Sequence, residues 1–178
     1  MDITTAPVEP GTSGSVPHSA ACGSAAVMRD AWAVFDRATG SWVLGPIFDA
    51  GFCDTCGRET RFQWISQEEH RRRQIRTLND NLRQGQLGPQ DRIVITCGVK
   101  ALGLEAINAI VAAVAKLTAF TPENDPHQER DVGALEHAGQ RIFFKIDYYD
   151  PKLAGGSADP TDPGRTARVL TIMLASEY

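Results

Sequence analysis

The sequence has no long hydrophobic run free of charge. Its most apolar stretch, Val99 to Phe120, carries Lys100, Glu105, Asn108 and Lys116, each costly inside hydrocarbon, so it reads as a buried helix and not as a membrane span. A leader with a basic start and an apolar middle is missing too. Residues 1–26 are small, polar and acidic at their beginning, which points to the cytoplasm, where the four cysteines stay reduced. Positive charge is also short: the formal net charge of −4 gives no general attraction to a phosphate backbone, and nucleic-acid binding would need a local patch. Chemical signatures are absent as well. There is no histidine pair at i, i+4, no glycine-rich phosphate cradle and no second C-x-x-C.

With 178 residues and 42% hydrophobic content, the chain can bury one ordinary core and is short for two. Residues 1–28, rich in Gly, Pro, Ser, Thr and Ala without apolar periodicity, read as a disordered tail. Residues 29–65 read as a small β-rich segment holding all three tryptophans, with a hairpin whose strands lie near 31–36 and 41–44 around Ala38-Thr39-Gly40. Two shorter extended runs flank the cysteine turn at Cys53 to Arg61.

An α+β core is expected over residues 66–178. Ser66 with Glu69 three residues on makes a capping box, and Ile75, Leu78 and Leu82 lay one apolar stripe along the helix it starts. Residues 91–96 read as a buried strand, 99–118 as the central helix, and 132–149 as a hairpin around Ala138-Gly139 with Ile142, Phe144, Ile146 and Tyr148 on one face. Asp162 followed by Pro163 reads as an N-cap and first helical position, so the last element is expected to be a helix, although RVLTIMLA, residues 168–175, also reads as a strand. The whole is a small N-terminal β-hairpin region with a cysteine turn, followed by an α-β-α-β-β-α core.

Three stretches, FTPENDPHQERDVGA, RIFFKIDYYD and SADPTDPGRTARVLTIMLASEY, resemble a family of uncharacterised bacterial proteins encoded on plasmids and integrative mobile elements. The resemblance covers about residues 68–178. It implies a small cytoplasmic accessory protein of mobile DNA and carries no catalytic residues with it.

Three groups of residues have chemistry to offer. Cys53 and Cys56, in a C-x-x-C followed by Gly57, have the spacing of a zinc knuckle, with the remaining ligands to come from Cys97, Cys22, His70, His127 or His137, or from a second chain. The competing readings are a redox pair and a metal-free reduced turn. Asp125, His127 and Asp131, joined by Asp147, are the residue types of metal-assisted hydrolysis, although Asp125-Pro126 is also a plain turn former. Arg71, Arg72, Arg73 and Arg76 form the one basic cluster, either a solvated helix face or a weak nucleic-acid contact. Residues 120–163 hold nine acids against four bases, so charge is segregated along the chain, which suits a protein partner. Gly98, between a strand and a helix, offers free N–H groups to an anion, but the rest of a phosphate fingerprint is missing.

These observations lead to an expectation of a non-enzymatic binding or regulatory protein acting through protein contacts, with a host defence system as a candidate target. The alternatives are a small metal-dependent hydrolase built on Asp125, His127, Asp131 and Asp147, and a zinc-stabilised nucleic-acid module built on Cys53, Cys56 and the arginine helix.

Overall fold

The computed structural model describes residues 14–178, a mixed α+β chain that divides into two compact units, one ending at His70 and the other running from Arg71 to Tyr178. Of the expected tail, residues 1–13 lie outside the described residues. The following stretch is structured: Ser15–Ser19 is strand β1, and β2, Val27–Asp36, begins inside the segment read as tail. Composition hid β1 because its partner is distant in sequence. It pairs antiparallel with β5, Phe62–Ser66, from Ser15↔Ser66 to Ser19↔Phe62.

The rest of the N-terminal unit is the predicted hairpin, longer than its apolar alternation suggested. Strand β2 pairs with β3, Ser41–Cys53, and β3 in turn holds the two-residue β4, Arg58–Glu59. Asp36 closes the turn: its Oδ1 accepts the Ala38 N–H at 2.8 Å, its carbonyl accepts that of Gly40, and Gly40 sits at φ 68°, a conformation glycine adopts without penalty. Pairing slips at two places, between Arg29 and Ala31 and between Ala31 and Ala33, and such bulges increase local twist.

Helix α1, Gln67–Arg83, starts where Ser66 predicts, with the Ser66 hydroxyl accepting the Glu69 N–H at 3.1 Å. Its predicted stripe is real at Ile75 and Leu82, both buried. The second unit is a four-stranded sheet in the order β6-β9-β8-β7, formed by Arg92–Ile95, Ala167–Leu174, Gln140–Tyr149 and Val132–His137 respectively. The β7–β8 hairpin turns at Ala138-Gly139 as expected, and Ile142, Phe144 and Ile146 face the core. Leu82, Val99, Ile110, Val114, Leu170 and Ile172 complete that core.

Three expectations are corrected here. The 99–118 helix is two helices, α2 (Cys97–Ala101) and α3 (Leu104–Lys116), because Gly103 at φ 90° leaves the helical region between them. Strand β6 lies at the edge of its sheet and alternates exposed with half-buried residues, so it is not fully buried. The closing helix is strand β9. Asp162 does not cap a helix: its Oδ1 accepts the Gly164 N–H at 2.8 Å in a local turn. Residues 167–174 lie between β6 and β8, and the apolar and β-branched run Val169 to Leu174 suits a strand in the interior of a sheet.

Gly133 on β7 lies against the Phe144 ring, and a Cβ there would meet its Cε1 at 2.4 Å and Leu117 Cδ2 at 3.0 Å. Phe144 is buried in the core cluster, so its ring can yield only by disturbing its neighbours there. Gly133→Ala should therefore lower the unfolding free energy by about 1–3 kcal/mol in urea titration. Gly156→Ala, with nothing within 4 Å, should stay within about 0.5 kcal/mol of the parent.

Candidate metal centre

The end of β3 and the start of the loop after β1 bring three thiols together. The Sγ atoms of Cys22, Cys53 and Cys56 all lie within 4.8 Å of one another, the group of metal-ligating side chains that forms among the described residues. Cys22 Sγ is 3.5 Å from Cys53 Sγ, and all are free thiols. Backbone bonds hold the two segments: Asp54 N–H donates to the Ala26 carbonyl at 2.9 Å, and Ser24 Oγ and Thr55 Oγ1 are 2.7 Å apart. Of the further ligands considered from spacing, Cys22 is the one that joins the pair. His70 instead contacts His18, Nδ1 to Nε2 at 3.3 Å, Cys97 opens α2, and His137 ends β7.

The thiols differ in acidity. The Cys53 thiol falls to about 6: the Cys56 backbone N–H stabilises its thiolate most, burial opposes this, and contacts from Cys22, Ser19 and Cys56 side chains add to the lowering. Cys56 moves the other way, through burial first and then through the neighbouring sulfurs. A Cys53 thiolate present near neutral pH with two further sulfurs beside it is a set that a cation such as zinc can bind.

The predicted catalytic loop has a different character. Asp125 is buried, and its Oδ1 accepts the N–H groups of Glu129 and Arg130, both at 3.0 Å. That loop is pinned further by Arg76 Nε donating to the Gln128 carbonyl at 2.8 Å and by Asn79 donating to the Glu129 carbonyl at 2.9 Å. Gln128 and Arg130 both have positive φ, so these bonds hold an unfavourable backbone. His127 is exposed, and Asp147 pairs with Lys145 at 2.9 Å. Asp131 has a raised pKa, chiefly from burial, with the charges of Asp125 and Asp147 adding and that of His127 opposing. A recess of about 270 Å³ is lined by Arg76, Phe120, Asp125, Gln128 and Arg130, and not by His127, Asp131 or Asp147. The four residues therefore share an electrostatic neighbourhood without assembling three ligand atoms around one point.

The arginine cluster is partly committed to structure. Arg76 holds the loop carbonyl, and Arg71 lies 4.0 Å from Asp159. Arg83, further along α1, is buried: it donates to the carbonyls of Val114 at 2.7 Å and Leu117 at 3.2 Å, ion-pairs with Asp80, and lies over the Phe120 and Phe144 rings. Asp80 also takes Arg130 at 2.6 Å. The anion position beside Gly98 is filled from within: Glu177 Oε1 accepts the Gly98 N–H at 2.9 Å, and Oε2 accepts the Thr96 hydroxyl at 2.7 Å.

Two features escaped the sequence reading. One is how far the β2–β3 hairpin exposes its large side chains: Trp32 is 67% exposed, Trp42 71% and Leu44 70%. The alternation that identifies a strand implies one buried face, and here neither face near the turn is covered. The other is a buried polar group in the second unit. Asn79 Nδ2 donates to Tyr148 Oη at 2.7 Å, Tyr148 donates to Glu129 Oε2 at 3.0 Å, and the buried Arg168 lies over the Tyr148 ring. Burial first, and then the Glu129 charge, raise the Tyr148 pKa strongly. The group ties α1 to the sheet and to the 125–131 loop.

Residues 95–177 match the sequence family described as "Protein of unknown function (DUF3768)". The match starts at Ile95, later than the resemblance suggested, and takes in neither α1 nor the cysteine-bearing unit. No curated protein and no solved structure matches the chain. Among the described residues, no helix is long and apolar enough to cross a membrane.

In metal-free, reduced protein, absorbance at 240 nm should show one thiolate titrating near pH 6. Cys53→Ser should remove the early step and Cys97→Ser should leave it. Separately, the Lys145–Asp147 pair is about one-third exposed on both sides, so Asp147→Asn should change stability by no more than about 1 kcal/mol in denaturant titration.

Proposed function

We propose that this chain is a non-enzymatic binding protein whose N-terminal unit, stabilised by zinc on Cys22, Cys53 and Cys56, presents the β2–β3 hairpin to a protein partner. The observation that carries this reading is the run of uncovered large side chains at the hairpin's far end: Trp32, Val34, Phe35, Trp42, Val43 and Leu44 are all more than 40% exposed. Exposed apolar clusters of this kind mark interaction sites, and tryptophan in particular supplies binding energy there. Trp32 already stacks edge-on with Phe48 and Trp42 with Phe35, so these rings are held in place before a partner arrives.

The hairpin's own charges favour protein over nucleic acid. Between Val27 and Cys53 stand Arg29 and Arg37 against Asp30, Asp36 and Asp49, so the hairpin is net negative and offers its aromatics no basic surface to meet phosphates. The hydrolase alternative draws less support, since Asp125 and Asp147 are engaged by the loop backbone and by Lys145.

Zinc is supported by a deficiency as well as by the thiols. Among the described residues of the N-terminal unit the buried apolar ones are Cys53 and Ile65, far too few to offset the entropy of ordering some fifty residues, and small units of that kind depend on a metal or a cross-link. We read the protein as acting in the cytoplasm, where the thiols remain available to metal. Its role as an accessory protein of mobile DNA that counters host defence rests on the resemblance of residues 68–178 alone.

The test uses the tagged full chain expressed in its own host. A defined protein should co-purify at moderate salt, and the double substitution Trp32→Ala, Trp42→Ala should weaken its retention by about thirtyfold or more, as loss of interface hot spots does. The melting temperature should hold, both side chains being exposed. Recovery of nothing above control from the unsubstituted chain at low and moderate salt would overturn the proposal.

A further inference from the structure

A three-thiol cluster leaves a tetrahedral cation one corner short, and the chain's own geometry shows where that corner lies. The segment Cys53-Asp54-Thr55-Cys56-Gly57 is a knuckle: Cys53 ends strand β3, the Gly57 N–H donates back to the Cys53 carbonyl at 2.9 Å, and Gly57 takes φ 64°. The segment Ser19-Ala20-Ala21-Cys22-Gly23 repeats it position by position. Ser19 ends strand β1, the Gly23 N–H donates back to the Ser19 carbonyl at 2.8 Å, and Gly23 takes φ 75°.

Burial follows the same pattern. Ser19 and Cys53, first in each knuckle, are 1% and 0% exposed, while Cys22 and Cys56 lie further out. The two turns face each other, joined by the Asp54-to-Ala26 backbone bond and the Ser24–Thr55 hydroxyl contact. Two facing knuckles are how four ligands from two distant segments reach one zinc ion, and in this chain the fourth ligand position is occupied by serine.

We infer that Ser19 is the fourth corner of a zinc site completed by Cys22, Cys53 and Cys56, with the serine hydroxyl oxygen ligating where a second knuckle would ordinarily place sulfur. The inference rests on the zinc reading above and extends it by one ligand. The Ser19 hydroxyl is held in position by the Ala21 N–H at 3.2 Å and by Thr60 Oγ1 at 3.1 Å, and neither contact prevents an oxygen lone pair from turning to a cation. The cluster then binds zinc as three thiolates, any proton still on a sulfur passing to solvent, and the hydroxyl keeps its own. A neutral oxygen brings one negative charge less than a thiolate, so this site holds zinc more loosely than four sulfurs would and exchanges it more readily.

The experiment compares the full chain with Ser19→Cys, Ser19→Ala and Cys22→Ser, each loaded with Co²⁺ as a spectroscopic stand-in for zinc and then titrated with zinc against a chromophoric chelator. The parent should bind one ion per chain as a monomer, with the d–d bands of a tetrahedral three-thiolate, one-oxygen site. Ser19→Cys should move those bands to longer wavelength, strengthen the thiolate-to-cobalt absorption, and tighten zinc by at least about tenfold. Ser19→Ala should keep three-thiolate absorption and loosen zinc, whereas Cys22→Ser should lose most of the thiolate signal. If Ser19→Cys leaves both spectrum and affinity as they were while the parent binds zinc, Ser19 is no ligand and the metal reading stands without it. If neither the parent nor Ser19→Cys binds either ion, the metal reading itself fails.

Discussion

Two apolar side chains, Cys53 and Ile65, are buried among the described residues of the N-terminal unit, and a unit of some fifty residues built on so little must obtain its cohesion from something other than a hydrophobic core. The other features of the N-terminal half follow from that constraint. Its cysteines sit where β1 and β3 end, so one bound ion would tie together the β1–β5 pair and the β2–β3–β4 sheet, which share no strand. The two bulges twist a hairpin whose aromatic residues pack against one another, Trp32 on Phe48 and Phe35 on Trp42, and stay at the surface. A unit with its stability concentrated at one end can leave the other end free for recognition.

The second unit takes the opposite solution. Alternation along β8 puts Ile142, Phe144 and Ile146 onto one face, where α3 and the end of α1 cover them with Ile110, Val114 and Leu82. Where β8 continues to Tyr148 and β9 begins at Arg168, the same face turns polar, and the cross-strand pair Tyr148↔Arg168 meets Asn79 and Glu129. This end of the core is specified by hydrogen bonds and the other by close packing. A one-residue slip of β9 on β8 would carry Arg168 to the opposite face and break both, so the register is strongly determined.

What the sequence disclosed was local. Ser66 announced its helix, and the β7–β8 hairpin could be read from strict alternation about Ala138-Gly139, because caps and turns act through neighbours in the chain. Strand β1 was hidden because its only recommendation is a partner nearly fifty residues away. Strand β9 was misread because Asp162-Pro163 forms a turn as readily as it starts a helix, and position in the sheet decided between them. Cys22 stood among several candidate ligands with nothing in its spacing to prefer it, and Ser19 was invisible, since serine advertises no affinity for metal. The exposure of Trp32 and Trp42 was likewise unreadable: apolar residues imply a cover, and only the fold shows that none is there.

The carboxylate of Glu177 gives the parallel pair a clasp. Strands β6 and β9 come from segments more than seventy residues apart, and both end at this point: Glu177 accepts the Leu174 N–H at 2.9 Å as β9 finishes, and the Thr96 and Gly98 donors just past β6. Its pKa lies below the ordinary glutamate range, first through the Thr96 hydroxyl and then through the Leu174 and Gly98 N–H groups. The stabilisation it contributes is complete above the unfolded-state value and is lost only as pH falls through the lowered one. The closure that joins the two most distant strands of the sheet is thus a charged one that survives mild acid, and it already occupies the Gly98 N–H that an outside anion would use.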